Sequence, residues 1–242
     1  MKFEDFKKMA ESCGGSAKDF KQSFYIKRFG SPPEVVNGVC RALSVAYLVK
    51  NYSKAVGKQP DTDSDFVDPD MSRDLQVRKF FESFLFARMD NPTASGPLAS
   101  EDLDLHRRRF TWIGWVQYNT RRPHKARSIQ EANDMEVASV CGAMSKIGGA
   151  MMQHKGQTRF SIPEEKASTA QFPDGQGFWF INVGAHAVAV CFRSQESGGK
   201  AKFFDPNNGQ VTFSTYEECR NFMNVFMRKE YGTEQFFVHV FG

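Results

Sequence analysis

The segment from Gly177 to Gly209, GFWFINVGAHAVAVCFRSQESGGKAKFFDPNNG, has the clearest strand pattern in the chain. Residues 178–192 are rich in Val, Phe, Ile and Ala and contain few charges. Residues 194–199, SQESGG, have the composition of a turn, and residues 200–204 begin a second apolar run. The pattern predicts two strands joined by a polar loop, as an antiparallel hairpin with its centre near Ser197.

The predicted hairpin carries one histidine, His186, and one aspartate, Asp205, which is followed by the turn sequence PNNG and a third short run at 211–213. Folding the chain back near its centre would place His186 across from the segment that carries Asp205. A carboxylate in that position can accept the imidazole proton and fix the tautomer of the ring. A histidine oriented by a carboxylate can serve as the base of a catalytic triad. The nucleophile would be a thiol or hydroxyl from elsewhere in the chain.

Length and composition indicate an ordinary globular chain. Its 242 residues suffice for one large domain or two small ones, and 40% are apolar and 25% charged. The 24 Phe residues, against 3 Trp and 6 Tyr, predict a core filled largely by phenylalanine. The formal net charge of +4 permits an anionic partner without requiring one.

The cysteine and histidine patterns argue against a disulfide framework and against a metal site. The five cysteines are an odd number with no CxxC pair, which favours a reduced compartment. No histidine has a partner at metal-ligand spacing, and HExxH is missing, so we expect no metal and no cofactor. The first 20 residues lack the apolar region of a secretory signal, and no run approaches ~18 apolar residues. If the protein leaves its cell, we expect a route without a cleaved signal.

Helical patterns dominate the first two thirds of the chain and strand patterns the last third. Phe3, Phe6 and Met9 lie at helical spacing, and a buried helix is predicted from Cys40 to residue 52. Further helices are predicted at 73–90, more loosely at 100–127, at 129–154 and at 215–230. Residues 156–175 have the pattern of a polar loop that could include a short strand, and a closing strand is predicted at 235–241. The order favours an α+β fold, with helices segregated from an antiparallel sheet.

Cys40 is the thiol whose position best suits a nucleophile. It follows the flexible segment 37–39 and opens a helix, so the peptide dipoles point at its sulfur and favour the thiolate. The N–H groups of that turn, together with the Asn37 side chain, could hold an oxyanion. His186 would then act as general base and acid, and Asp205 would orient it.

Each of these residues also has an ordinary structural explanation. A buried cysteine is usually a small core residue, and an aspartate before PNNG is often a turn former. Among the other thiols, Cys141 is the best competitor, but it sits in mid-segment without a clear helix start. Cys191 lies at an odd separation from His186 on one strand, which points it to the opposite face, and Cys219 lies on the apolar side of a helix. The order Cys, His, Asp, each in suitable local structure, favours the catalytic interpretation.

Three segments resemble the signature blocks of the YopT/AvrPphB cysteine proteases, which are papain-like enzymes that bacterial secretion systems deliver into host cells. The segments are GVCRALS at 38–44, GAHAVA at 184–189 and FFDPNNG at 203–209. The resemblance implies a papain-like core with a helical half packed on an antiparallel sheet, a lead-in at 1–35 and a catalytic domain at 36–242. It implies Cys40 as nucleophile, His186 as base and Asp205 as the orienting carboxylate.

One departure concerns the oxyanion. Papain-like enzymes commonly place a glutamine several residues before the cysteine, and residues 31–39 contain none. Asn37 is the nearest amide and is therefore the expected oxyanion group.

The resemblance implies a cysteine endopeptidase that cleaves a host protein through a thioester intermediate. The expected protein is a monomer, secreted by a bacterium without a cleaved signal peptide and active in the host cytoplasm. The same triad can also deamidate glutamine or transfer acyl groups, because the thioester step is shared. A non-catalytic binding module that has kept the fold is the alternative from another class.

The stretch from His106 to Arg127 interleaves basic and aromatic side chains. The residues that could form a docking surface are Arg107, Arg108, Arg109, Trp112 and Trp115. A solvated basic helix with a buried aromatic face explains the pattern, and docking to an acidic protein surface or an anionic membrane is the functional alternative. No recognised nucleic-acid motif accompanies the stretch, so nucleic acid is not expected as a partner. The resemblance to YopT implies a prenylated, polybasic GTPase tail as substrate. A basic docking surface would repel such a tail, which suggests a substrate of another kind.

Overall fold

The computed structural model describes residues 1–23, 38–55, 117, 129–146, 152–161, 177–192, 200–232 and 235–242. The chain divides into two compact units. A sheet unit comprises Met1–Phe20 and Gln153–Gly242, and a helical unit comprises Lys21–Met152. The predicted boundary between a lead-in (1–35) and a catalytic domain (36–242) falls within residues 24–37, which lie outside the described residues. It stays a prediction.

The elements of the described residues follow one another in the order helix, strand, two helices, five strands, helix and strand. They are α1 (Phe3–Ser12), β1 (Ser16–Lys18), α2 (Cys40–Ala55), α3 (Ile129–Lys146), β2 (His154–Ser161), β3 (Gly177–Val183), β4 (His186–Phe192), β5 (Ala201–Asp205), β6 (Gly209–Phe213), α4 (Tyr216–Tyr231) and β7 (Gln235–Phe241). The seven strands form one sheet in the order β1-β6-β5-β4-β3-β7-β2. Every neighbouring pair is antiparallel, which confirms the predicted α+β class.

The predicted hairpin is present, but the prediction of a single strand for its first arm is wrong. Residues 177–192 form two strands, β3 and β4, which pair with each other so that Val183 faces His186. Gly184 opens the two-residue turn between them with φ +60°, a conformation that favours glycine. Both strands are almost wholly buried, so their sequence lacks the polar alternation that would have marked the turn.

The pairing between β4 and β5 agrees with the predicted hairpin. Ala189 faces Phe204 and Phe192 faces Ala201, and the joining residues 193–199 lie outside the described residues. Because the strands are antiparallel, the first residue of β4 lies at the same end of the pair as the last residue of β5. The fold thereby brings His186 close to Asp205.

Phenylalanine fills the core of the sheet unit, as the composition predicted. Phe6 from α1 lies edge-on to Phe222 and Phe226 from α4, at centroid distances of 5.7 and 5.5 Å. The predicted N-terminal amphipathic helix is confirmed, since Phe6 and Met9 are buried in the cluster that covers one face of the sheet. The buried phenylalanines of the described residues are Phe6, Phe20, Phe178, Phe180, Phe192, Phe203, Phe204, Phe213, Phe222, Phe226 and Phe241.

Helix α4 has well-defined ends that fix its last turn. Thr215 and Glu218 form a reciprocal capping box at its start. Gly232 ends the helix in the left-handed conformation, φ +58°, and donates its N–H to the carbonyl of Arg228. Tyr231 is therefore held as the final helical residue, at the end of the helix where the chain turns toward β7.

The described part of the helical unit contains α2 and α3, which pack against each other. The predicted buried helix beginning at Cys40 is confirmed, because Leu43, Val45 and Leu48 have no exposed surface. The helix predicted at 129–154 is confirmed as far as Lys146, whereas His154 belongs to β2. The predicted helix at 73–90, and 100–127 apart from Gln117, lie outside the described residues.

No helix in the described part of the chain has the length and apolar character needed to cross a membrane.

Candidate functional site

His186 and Asp205 form a direct contact at one end of the β4–β5 pair. Nε2 of His186 lies 2.9 Å from Oδ1 of Asp205. The Asp205 side chain has no exposed surface, and that of His186 is 11% exposed. The structure thus confirms that this histidine and this aspartate meet, as the hairpin predicted.

The Asp205 carboxylate accepts four hydrogen bonds from the described residues. Oδ1 accepts from His186 Nε2 and from the backbone N–H of Asn207, at 2.9 and 2.7 Å. Oδ2 accepts from Asn208 Nδ2 at 3.1 Å and from the Tyr231 hydroxyl at 2.6 Å. An ionised carboxylate is an acceptor only, with about four lone-pair sites, so this donor set fits the charged form.

The contact with Asp205 determines which imidazole nitrogen can exchange a proton. Because a carboxylate only accepts, Nε2 of His186 carries the hydrogen in this contact. In the neutral ring the lone pair then resides on Nδ1. Nδ1 lies 3.5 Å from Nδ2 of Asn207, an exposed residue. Nδ1 is therefore the atom suited to general acid–base work.

Tyr231 is a member of this site that the sequence analysis missed. Its ring stacks on the His186 ring with centroids 5.1 Å apart and planes inclined by 22°. Burial, and then the charge of Asp205, raise the pKa of Tyr231 far above its usual value, so the hydroxyl stays protonated and donates. The one signal in the sequence is an aromatic residue directly before a helix-ending glycine, which does not by itself indicate a site.

Cys40 lies where the sequence predicted, as the first residue of α2. Its side chain is buried, with 7% of the residue exposed. The first turn begins with a bond from Leu43 N–H to the carbonyl of Val39. As the first residue of α2, Cys40 lies at the positive end of the helix dipole, a position typical of reactive thiols.

A buried glutamine, Gln22, packs against the residues before Cys40. Its Oε1 accepts the Val39 N–H at 2.8 Å, so its NH2 group is the opposite, donating end. A Cβ atom at Gly38, which has φ +111°, would lie 3.3 Å from Nε2 of Gln22. Gln22 was not expected, because it lies well before residues 31–39, where a papain-like enzyme commonly has its glutamine. Asn37 lies outside the described residues.

A second glutamine contacts the same helix start. Oε1 of Gln117 accepts the N–H of Ala42 at 2.9 Å. The glutamines thus accept the N–H groups of Val39 and Ala42, which have no acceptor within the helix. These two bonds stabilise the first turn of α2. The Arg41 guanidinium also lies 4.0 Å from the buried carboxylate of Glu136 in α3.

The other thiols lie in settings that oppose ionisation or lack a helix start. Burial raises the pKa of Cys141, which sits inside α3. Burial, and then the charge of Cys191, raise the pKa of Cys219 well above its usual value. Cys13 is the C-cap residue of α1 and therefore begins no helix. Within the described residues, Cys40 is the cysteine that begins a helix.

Two further histidines meet away from the site. Nδ1 of His239 lies 3.4 Å from Nε2 of His154 on the neighbouring strand, and burial lowers the pKa of His154. In the part of the chain that the structure describes, no group of three His, Cys, Asp or Glu side chains is arranged to hold a metal ion. The expected docking residues Arg107, Arg108, Arg109, Trp112 and Trp115 lie outside the described residues.

Comparison with known proteins identified one family model and several solved structures. The model of the Peptidase_C58 family, described as Yersinia/Haemophilus virulence surface antigen, matches residues 175–239, which include His186 and Asp205. The cysteine protease-like domain of the Photorhabdus asymbiotica toxin PaTox is 15% identical with a TM-score of 0.43, over 98% of this chain and 57% of that chain. The Pseudomonas avirulence protein AvrPphB is 13% identical with a TM-score of 0.41, over 88% of this chain and 95% of that chain.

The present chain thus spans little more than half of the PaTox chain. A comparison with the curated proteins found no match. The family match includes the β3–β4 and β5–β6 segments that hold the His186–Asp205 pair. The resemblance to the YopT/AvrPphB family of cysteine proteases is therefore confirmed for residues 175–239.

Proposed function

We propose that the protein is a cysteine endopeptidase in which Cys40 is the nucleophile, His186 the general base and acid, and Asp205 the orienting carboxylate. The observation that carries the proposal is the 2.9 Å contact between His186 and Asp205, within the segment that matches a peptidase family. The position of Cys40 at the start of α2 supports it. The proposal requires Cys40 to lie within hydrogen-bond reach of Nδ1 of His186.

The first half of the reaction transfers an acyl group to the thiol. The proton of Cys40 passes to Nδ1 of His186, and the thiolate attacks the carbonyl carbon of the substrate amide. A C–S bond forms while the carbonyl electron pair moves to oxygen. When the oxyanion collapses, the C–N bond breaks and Nδ1 gives its proton to the leaving nitrogen, which leaves a thioester on Cys40.

The second half hydrolyses the thioester. Water loses a proton to Nδ1 of His186 as its oxygen attacks the thioester carbonyl. Collapse breaks the C–S bond and releases the carboxylic product, which leaves the Cys40 thiolate beside the His186 imidazolium that holds the proton taken from water. Asp205 keeps the ring in one tautomer throughout and stabilises the imidazolium, without itself taking up the proton.

The oxyanion needs preorganised donors near the reacting carbonyl. The backbone N–H of Cys40 at the start of α2 is the first donor that we propose. A side-chain amide would supply the second, and the chain offers Asn37, the residue expected from the sequence, and Gln22. The contact of Gln22 with Val39 and its proximity to Gly38 favour Gln22.

The family match supports a role in virulence. We propose a bacterial effector that is secreted without a cleaved signal peptide and cleaves a host protein in the host cytoplasm, acting as a monomer without metal or cofactor. Arg107, Arg108, Arg109, Trp112 and Trp115 remain our proposed docking surface for an acidic protein region or an anionic membrane. Neutralising the three arginines should weaken cleavage, and unchanged cleavage would contradict this docking role.

A labelling experiment distinguishes proteolysis from the alternatives. Host-cell lysate is incubated with the wild-type chain or with Cys40→Ala, and newly formed α-amines are tagged and identified by mass spectrometry. New N-termini that depend on Cys40 support the protease. Glutamine converted to glutamate or to an acyl-transfer product, without new N-termini, would contradict proteolysis and indicate a deamidase or acyltransferase. Capture of a protein without chemical change by both variants would contradict catalysis and indicate a binding module.

A further inference from the structure

Tyr231 touches both members of the His186–Asp205 pair. The face of its ring stacks on the imidazole with centroids 5.1 Å apart. Its hydroxyl donates to Oδ2 of Asp205 at 2.6 Å, the carboxylate oxygen that His186 does not use. One side chain therefore restrains the plane of the ring and the rotation of the carboxylate together.

The carboxylate is held by pairs of donors on each oxygen. His186 and the backbone N–H of Asn207 contact Oδ1, while Tyr231 and Asn208 contact Oδ2. Rotation of the carboxyl group would break contacts on both sides. The hydroxyl of Tyr231 provides the shortest of these four contacts, so its loss should loosen the group most.

Asn207 contacts both ends of the His186–Asp205 pair. Its backbone N–H donates to Oδ1 of Asp205, and its Nδ2 lies 3.5 Å from Nδ1 of His186. The hydrogen-bonded network of His186, Asp205 and Tyr231 thus includes Asn207. Hydrogen bonds in such a network reinforce one another.

The backbone fixes the position of Tyr231 at the end of α4. Gly232 ends the helix directly after it in the left-handed conformation. The Tyr231 ring also lies edge-on to Phe226, with centroids 5.8 Å apart. The ring therefore contacts both the phenylalanine core and the imidazole.

We propose that Tyr231 is a positioning residue that locks His186 with its Nε2–H on Asp205, so that Nδ1 presents its lone pair to the reacting thiol. The restraint on the imidazole follows from contacts within the sheet unit alone. Its consequence for Cys40 rests on the proposed function.

The test separates the hydroxyl contact from the ring contact. Tyr231→Phe keeps the stacked ring and removes the donor to Asp205, whereas Tyr231→Leu removes both. Tyr216→Phe is the matched control, because Tyr216 lies at the other end of the same helix, about 22 Å away for 15 residues at 1.5 Å each. Near-ultraviolet circular dichroism checks that each variant is folded.

The primary measurement is solvent exchange of the His186 Nε2–H, followed by NMR on the full chain with ¹⁵N-labelled histidine. We expect exchange to become about tenfold faster in Tyr231→Phe, faster still in Tyr231→Leu, and unchanged within about twofold in Tyr216→Phe. A purely structural tyrosine would not move this signal in the Phe variant. Equal exchange in the wild type and Tyr231→Phe would overturn the proposal, even if Tyr231→Leu failed to fold.

Alkylation of Cys40 by iodoacetamide, measured on the same samples, separates the two proposals. Faster exchange with about tenfold slower alkylation in Tyr231→Phe supports both of them. Faster exchange with unchanged alkylation supports the positioning of the imidazole and contradicts the proposed coupling to the thiol. Unchanged exchange overturns the role of Tyr231, whatever the alkylation rate of Cys40.

Discussion

Nε2 of His186 lies 2.9 Å from Oδ1 of Asp205, whose side chain is wholly buried. The two residues are 19 positions apart and come from neighbouring antiparallel strands, one at the start of β4 and the other at the end of β5. A buried carboxylate surrounded by donors cannot rotate away from the imidazole without leaving those donors unsatisfied. The proposed role of Asp205 in orienting His186 can therefore be tested by substitution.

Replacement of Asp205 by Asn should abolish most of the activity while keeping the size of the side chain. An amide can present its NH2 group to the imidazole and so stabilise the wrong tautomer, which lowers turnover by about 10⁴ in a comparable triad. The rate of labelling by an epoxysuccinyl peptide measures the effect. Asp134→Asn, at an exposed position of α3, is the matched control and should label at the wild-type rate. An Asp205→Asn variant with wild-type labelling would exclude an orienting role for Asp205.

Replacement of Gln22, which contacts the residues before Cys40, tests the proposed oxyanion donor. If Gln22 supplies an oxyanion donor, Gln22→Ala should lower turnover by about 10²–10³. It should also lower the free energy of unfolding by about 1–3 kcal/mol, because the buried N–H of Val39 loses its acceptor. Gln153→Ala, at an exposed position, is the control. Should Asn37→Ala reduce turnover instead while Gln22→Ala does not, the oxyanion group is Asn37.

Gly209 is a position where any side chain should be costly. It has φ +124°, and a Cβ atom there would lie 2.1 Å from the backbone oxygen of Lys18 on β1. Gly209→Ala must therefore push β1 away from β6, and we expect a loss of about 3 kcal/mol or more in urea unfolding. Gly232→Ala also has positive φ but meets open space, so it should cost only about 1 kcal/mol. Equal losses in the two variants would contradict the close approach of β1.

Removal of the Phe6 side chain tests whether α1 is an integral part of the sheet unit. Phe6 has no exposed surface and packs edge-on against Phe222 and Phe226. Phe6→Ala should lower the free energy of unfolding by about 3–5 kcal/mol. Val225→Ala, at a site that is 49% exposed on α4, should change it by less than about 0.5 kcal/mol. A Phe6→Ala variant as stable as wild type would mean that α1 does not pack as described.

The Tyr231 phenol should make the protein less stable in alkali. Its pKa is raised in the folded state by burial and by the charge of Asp205, so the unfolded chain releases this proton first. The stabilisation is complete below the unfolded pKa of about 10 and falls as pH rises, by up to about 1.4 kcal/mol per pH unit. Urea unfolding from pH 8 to 11 should therefore show a steeper loss for wild type than for Tyr231→Phe. Parallel curves would contradict a buried phenol hydrogen-bonded to Asp205.

The sequence allowed His186 and Asp205 to be placed together because one local hairpin relates them. The start of α2 at Cys40 was likewise predictable, since the glycine before it and the apolar pattern after it are local signals. Gly184 was missed because β3 and β4 are buried on both faces, so an apolar run of two strands resembles one.

Tyr231 and Gln22 could not be predicted, because their contacts depend on the tertiary fold. Tyr231 is 26 residues from Asp205, and Gln22 is 17 residues from Val39. Tyr231 also continues the apolar side of α4, where an aromatic residue is expected for packing alone. Side-chain identity thus gave no indication of either contact.

The pH dependence of Cys40 alkylation by iodoacetamide, in wild type and His186→Ala, tests the central claim most directly. Mass spectrometry resolves each thiol, and Cys219, whose pKa is raised by burial, is the internal control that should not react. We predict that Cys40 alkylates selectively well below the free-thiol pKa of ~8.5 in wild type, and that His186→Ala loses this reactivity. If Cys40 reacts like an ordinary or protected thiol in both proteins, Cys40 and His186 do not form a catalytic pair.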